Sequence, residues 1–97
     1  MSDEEQTQQE IQIQISPDVQ QGAYANNMVV AHTQEEFVLD FILLTPPVGT
    51  INARVIVSPS HAKRIATALL DNLDKYEQNF GEIATVAQAP SGPIVTH

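Results

Sequence analysis

The sequence predicts an α+β fold in which a four-stranded antiparallel β-meander is followed by one long C-terminal helix. Two observations lead to this fold class. Four short runs rich in apolar and β-branched residues are separated by proline, glycine or polar turn residues. The last run is followed by a long segment in which apolar residues recur every three or four positions, as they do along one face of a helix.

The first predicted strand, residues 10–16, shows the strictest alternation in the chain. Its three isoleucines alternate with glutamines, which is typical of an edge strand with one apolar face. Ser16-Pro17 ends the run, because proline restricts the residue before it and cannot donate a hydrogen bond. Asn26-Asn27 is unusual for a strand, and in the second run it predicts either a bulge or a polar contact across an interface. The other three predicted strands are residues 23–32, 36–44 and 50–57.

The third and fourth strands are expected to form an antiparallel hairpin that turns at Pro47. The pairs in this register are Leu43 with Ile51, Phe41 with Ala53, Leu39 with Val55, and Phe37 with Val57. The same register places Asp40 opposite Arg54 on a mostly apolar face, where opposite charges stabilise each other. We interpret these two residues as a structural ion pair, and a ligand-binding or catalytic carboxylate is the alternative.

The helix is expected to begin after Ser58, a good N-cap residue that is followed by Pro59, and to end at Gly81. Its apolar positions form one broad stripe along about six turns. The stripe consists of Ala62, Ala66, Leu69, Leu73, Tyr76 and Phe80, and Ile65 widens it. We expect this stripe to pack on the sheet face that carries Phe37, Leu39 and Phe41. Its heptad-like spacing leaves a coiled-coil partner as the alternative.

One helix can cover only one face of a sheet, so the second face is predicted to be an interface. The candidate interface residues are Met28, Val30, Val38, Ile42 and Ile56. We therefore expect a homodimer or a higher homo-oligomer with isologous contacts.

Composition narrows the functional classes. The 97 residues hold 12 acidic and 4 basic side chains, for a net charge of -8 and no cysteine. The lack of cysteine excludes disulfides and thiolate metal sites, and the few cations argue against a nucleic-acid partner. Since no apolar run is long enough for a membrane span and the first residues are acidic, a cytoplasmic location is expected. We expect one domain at residues 10–83, between a disordered acidic tail at 1–9 and a flexible tail at 84–97.

No constellation of catalytic or metal-binding residues is evident in the sequence. His32, His61 and His97 are far apart in the chain, and none belongs to a known metal or nucleophile motif. We expect no catalytic residues, no metal and no cofactor. His61, Lys63 and Arg64 near the start of the helix are candidates for an anion contact, and a solvated first turn is the alternative.

Several blocks of the chain resemble the domain-of-unknown-function 3467 family of small bacterial proteins. The blocks are residues 22–26, 36–41, 53–64, 72–77 and 80–83. The resemblance covers about residues 10–83 and implies a compact bacterial cytosolic protein without an assigned activity. It also implies a link to RNA polymerase, through relatives encoded beside its subunits. The predicted element order is similar in architecture to the SecB export-chaperone fold, which does not define a function.

These observations favour a non-enzymatic, oligomeric protein-interaction module, either an adaptor or a chaperone-like protein that binds an unidentified protein partner. The first alternative is a small ligand-binding protein or enzyme whose site, at a subunit interface, uses Asp40, Arg54, His32 or His61. The second alternative is an accessory protein of the transcription machinery.

Overall fold

The computed structural model describes residues 9–85, which form a three-stranded antiparallel sheet between a short helix and a long one. In chain order the elements are α1 (Pro17–Gln20), β1 (Asn27–His32), β2 (Phe37–Thr45), β3 (Val48–Val57) and α2 (Pro59–Phe80). β2 is the central strand of the sheet. The predicted tails at 1–9 and 84–97 lie almost wholly outside the described residues.

The prediction of four strands is wrong, because residues 10–16 form no strand. Ile11 and Ile13 are 83% and 93% exposed, and Ser16 instead caps α1 by accepting a hydrogen bond from the backbone N–H of Asp18 at 3.2 Å. An alternating pattern shows which side chains share a face. It does not supply the neighbouring backbone that a strand must pair with. The observed order is therefore βββα, with the short helix α1 before it.

The turn between β1 and β2 is organised by Thr33. Its backbone N–H donates to the carbonyl of Glu36 at 2.9 Å, and its hydroxyl oxygen accepts from the N–H groups of Glu35 and Glu36. This turn aligns His32 with Phe37. Every further pair of β1 and β2 follows from that alignment.

The predicted β2–β3 register is confirmed from Phe37 to Phe41 and is wrong beyond that point. A bulge between Phe41 and Ile42 pairs Ile42 rather than Leu43 with Ile51. Asn52 is the extra residue on β3, and its side-chain amide donates to the carbonyl of Tyr24 at 2.8 Å. The bulge thus attaches the chain before β1 to the opposite edge strand.

Helix α2 has the predicted bounds. Ser58 Oγ accepts from the N–H of His61 at 3.1 Å, and Pro59 occupies the start of the helix. The helix ends at Gly81, whose φ of 93° is a conformation that glycine adopts easily, and whose N–H donates to the carbonyl of Glu77 at 2.9 Å. Neither helix within residues 9–85 is long and apolar enough to cross a membrane.

The prediction that α2 packs on the sheet is wrong for the single chain. No residue of α2 is buried, and only Ala62 and Ile65, near its start, are half-buried. Among the described residues, the one buried hydrophobic side chain is that of Ile42, at 3% exposure. Helix α2 projects from the sheet because Ser58 is the only residue between it and β3, and no second turn returns it to the sheet.

Candidate interaction surface

A continuous uncovered apolar feature is the face of α2 formed by Leu69, Leu73, Tyr76 and Phe80, here called the helix stripe. These side chains are between 45% and 73% exposed. The rings of Tyr76 and Phe80 contact each other with centroids 4.9 Å apart. Apolar side chains one helical turn apart therefore form a continuous surface on the C-terminal half of the helix.

The chain after α2 extends the helix stripe. The backbone N–H of Ile83 donates to Oε2 of Glu77 at 2.9 Å, which holds the residue beside the end of the helix. A shallow apolar groove results between the stripe and Ile83, and Asn72, Lys75 and Asn79 also line it. The sequence showed the stripe but gave no sign of this return of the chain.

Outside the helix stripe, several polar side chains of α2 contact each other, although Leu70 is also exposed there. Lys75 forms an ion pair with Asp71 at 3.1 Å, and the side-chain amide of Gln78 donates to Asp74 at 2.9 Å. Both pairs have the spacing of neighbours along a helix and are exposed to water. The helix is thus amphipathic, and its apolar side has no cover in the single chain.

The five candidate interface residues do not share one face of the sheet, which corrects the prediction. Met28 pairs with Phe41 and Val30 with Leu39, so both lie on the face that was assigned to the helix. Val38, Ile42 and Ile56 lie on the opposite face. The turn at Thr33 determines which face Met28 and Val30 occupy, because it sets the register of β1 against β2. A shift of one residue in that register would move every side chain of β1 to the other face. Whether any of the five contacts a partner stays a prediction.

Asp40 and Arg54 lie opposite each other on β2 and β3. Arg54 donates from Nε to Oδ1 of Asp40 at 2.7 Å and from Nη2 to Oδ2 at 2.9 Å. These hydrogen bonds and the positive charge of Arg54 hold the pKa of Asp40 below its usual value, although burial acts in the opposite direction. The same hydrogen bonds, with the negative charge of Asp40, raise the pKa of Arg54. Because Asp40 is only 7% exposed and both its oxygens are engaged, the geometry favours a structural pair over a catalytic carboxylate.

The two adjacent asparagines act on the backbone of the sheet. Asn26 donates from its side-chain amide to the carbonyl of Leu44 at 3.1 Å, and its Oδ1 accepts from the N–H of Leu44 at 2.8 Å. The side chain thus takes the place of a paired residue at the end of β1. Asn27 is buried, and its Oδ1 accepts from the N–H of Met28, while its Nδ2 has no hydrogen-bond partner among the described residues.

The candidate anion contact consists of exposed side chains at the start of α2. His61, Lys63 and Arg64 are all exposed, and the N–H of His61 already donates to Ser58. Pro59 has no N–H, so little of the helix N-terminus remains to bind an anion. An anion contact at these side chains stays a prediction.

The histidines are likewise separated. His32 stacks on Phe37 with ring centroids 5.2 Å apart. His97 lies outside the described residues. Across residues 9–85, no three side chains of the His, Asp or Glu type come together as metal ligands would.

Residues 1–85 match the family model of DUF3467, described as a protein of unknown function, and the chain belongs to this family. No curated protein shows significant similarity to the chain. No solved structure does so either, and the expected similarity to SecB therefore has no support.

Proposed function

We propose that this member of the DUF3467 family is a non-enzymatic protein-interaction module that works as a homo-oligomer in the bacterial cytoplasm. The observation that supports it is the uncovered helix stripe on a helix without any buried residue. Contiguous apolar patches of this kind are rare on monomeric proteins and are typical of interfaces.

The hydrophobic core of the single chain is small, which supports assembly as the reason why the helix stripe is exposed. Ile42 is the one buried hydrophobic residue among the described residues, and none of their side chains is fully buried. A chain of this length buries too little apolar area for a robust fold unless another surface contributes. A second copy that covers the helix stripe would supply the missing area.

The charges along α2 favour an antiparallel pair of helices. Its N-terminal half carries Lys63 and Arg64, whereas its C-terminal half carries Asp71, Asp74 and Glu77 with one cation. An antiparallel arrangement places the basic half of one copy beside the acidic half of the other and aligns the helix dipoles favourably. A parallel arrangement would place like charges together.

The sheet face with Met28, Val30 and Val55 would then remain for a partner polypeptide. These three side chains are each more than 40% exposed. The strands that carry them pair with β2 and do not pack against α2. The proposal thus assigns self-assembly to the helix and partner binding to the sheet.

Light scattering across a concentration series tests self-assembly, and a mass that stays at 10.6 kDa would refute it. Spin labels test the orientation, since the chain has no native cysteine. In an antiparallel dimer, labels at Asp71 lie close together, whereas labels at Ser60 lie about 30 Å apart along the axis. Short distances at both positions would refute the antiparallel arrangement.

A further inference from the structure

A second uncovered apolar feature lies in the segment before the sheet, residues 10–16, here called the isoleucine segment. Ile11, Ile13 and Ile15 are all exposed, and each is separated from the next by a glutamine. Within the described residues, no backbone hydrogen bond joins residues 11–15 to another part of the chain. The segment therefore has the side-chain pattern of a strand without a strand to pair with.

The free edge of β3 has the features of a site for an added strand. β3 has 10 residues and contains no proline. Its one charged side chain, Arg54, is held by Asp40 of the neighbouring strand. Natural edge strands are usually guarded against pairing by proline, by free charges, by shortness or by a bulge. β3 has none of the first three guards, and its bulge at Asn52 leaves the five residues from Ala53 to Val57 in regular register.

We propose that the isoleucine segment of one copy adds to the free edge of β3 of a second copy as an antiparallel fourth strand. This inference rests on the proposed self-assembly and specifies a second contact within it. The backbone of the segment would then form hydrogen bonds with the backbone of β3, as in other cases of strand addition. The isoleucines would extend the apolar face that carries Val38, Ile42 and Ile56, and the glutamines would lie on the face of Val55.

Charge selects both the direction and the edge. Glu10 begins the segment, and the sequence before it is acidic. Antiparallel addition brings this acidic end beside the C-terminal end of β3, where α2 starts with Lys63 and Arg64. The free edge of β1 ends instead at the acidic turn that contains Glu35 and Glu36, which would repel the same end.

Cross-linking between two differently tagged chains tests the pairing. One chain carries Gln12→Cys and the other Val55→Cys, and a short bis-maleimide joins them. We expect a product that contains both tags. The matched control replaces Val55→Cys with His32→Cys at the end of β1, and it should give little of that product. A stronger product with His32→Cys than with Val55→Cys would overturn the choice of β3.

Hydrogen exchange separates the failure of this inference from the failure of the proposed function. In the assembled protein, the alternate amides of residues 11–15 that face β3 should exchange at least about tenfold more slowly than in an unpaired segment. Ile13→Pro should abolish this protection and leave the mass in light scattering at two chains, whereas Gln9→Pro should preserve the protection. A two-chain mass with an unprotected wild-type segment would refute the added strand alone. A one-chain mass would refute both proposals.

Discussion

Leu73 lies in the middle of the helix stripe, and replacing it with alanine is a direct test of the proposed helix pair. The side chain is 45% exposed in the single chain. Full burial of a leucine stabilises by about 1.5–3 kcal/mol. Covering the exposed share would therefore contribute about 1 kcal/mol per copy, or about 2 kcal/mol in a symmetric dimer. We expect Leu73→Ala to raise the dimer Kd about 30-fold.

Alanine is a stronger helix former than leucine, so a loss of helix cannot explain such an effect. The matched control is Gln78→Ala, on the opposite side of α2, where the side chain bonds only to Asp74 of its own helix. Sedimentation velocity on dilution series of the three proteins at one salt concentration gives the Kd values. Circular dichroism at high concentration checks that the helix content is equal.

A Kd of Leu73→Ala within about twofold of the wild-type value would refute the reasoning, because about 2 kcal/mol of burial cannot be removed without a change of this size. An equal loss in Gln78→Ala and Leu73→Ala would also refute it. That result would show that the association depends on α2 as a whole and not on its apolar side.

Three further predictions concern stability. Asp40→Asn should lower the free energy of unfolding at neutral pH, because Arg54 loses its charged partner. The pKa of Asp40 is lowered in the folded state. The stability that this pair gives the wild type is therefore complete above about pH 4 and is lost as the pH falls through the lowered pKa. Ser58→Ala should cost about 1 kcal/mol in urea unfolding through loss of the N-cap, and Ser58→Asp should retain most of it. Asn26→Ala should cost about 1–2 kcal/mol, because two hydrogen bonds to Leu44 are lost.

Each of these predictions has a matched control. Asp74→Asn removes an exposed carboxylate of α2 and should not alter the acid unfolding midpoint as Asp40→Asn does. Gln34→Ala removes an exposed amide in the turn and should leave urea unfolding unchanged, in contrast to Asn26→Ala. Identical acid transitions for wild type and Asp40→Asn would contradict the inferred role of the ion pair. A Ser58→Asp protein as unstable as Ser58→Ala would contradict the capping argument.

The sequence was sufficient wherever the signal lay within one element or one hairpin. The Asp40–Arg54 pairing followed from the facing apolar runs of β2 and β3, and the bounds of α2 followed from Ser58 and Gly81. The bulge was missed because alternation counts residues and cannot show where one strand has an extra one. Asn52 in the middle of a strand was the available signal, since asparagine is depleted there.

The face of β1 was missed for a different reason. Residues of β1 alternate weakly, and the register depends on how many residues the turn at Thr33 contains. Met28 and Val30 were therefore assigned to the wrong face, although their own strand was recognised. Asn26 shortened the strand because its side chain replaced a backbone pair with Leu44, an effect that apolar periodicity cannot reveal.

The two largest errors have a common physical explanation. The isoleucine segment and α2 carry the clearest amphipathic patterns in the chain, and both were expected to meet the sheet of their own chain. Both remain uncovered within residues 9–85. Amphipathic periodicity predicts that one side of a segment is covered, but it does not show whether the same chain or another chain covers it. If a second copy covers both, burial between chains explains the apolar pattern of the isoleucine segment and that of α2. Loss of assembly in Leu73→Ala together with retained protection of residues 11–15 would separate the two contacts and contradict this common explanation.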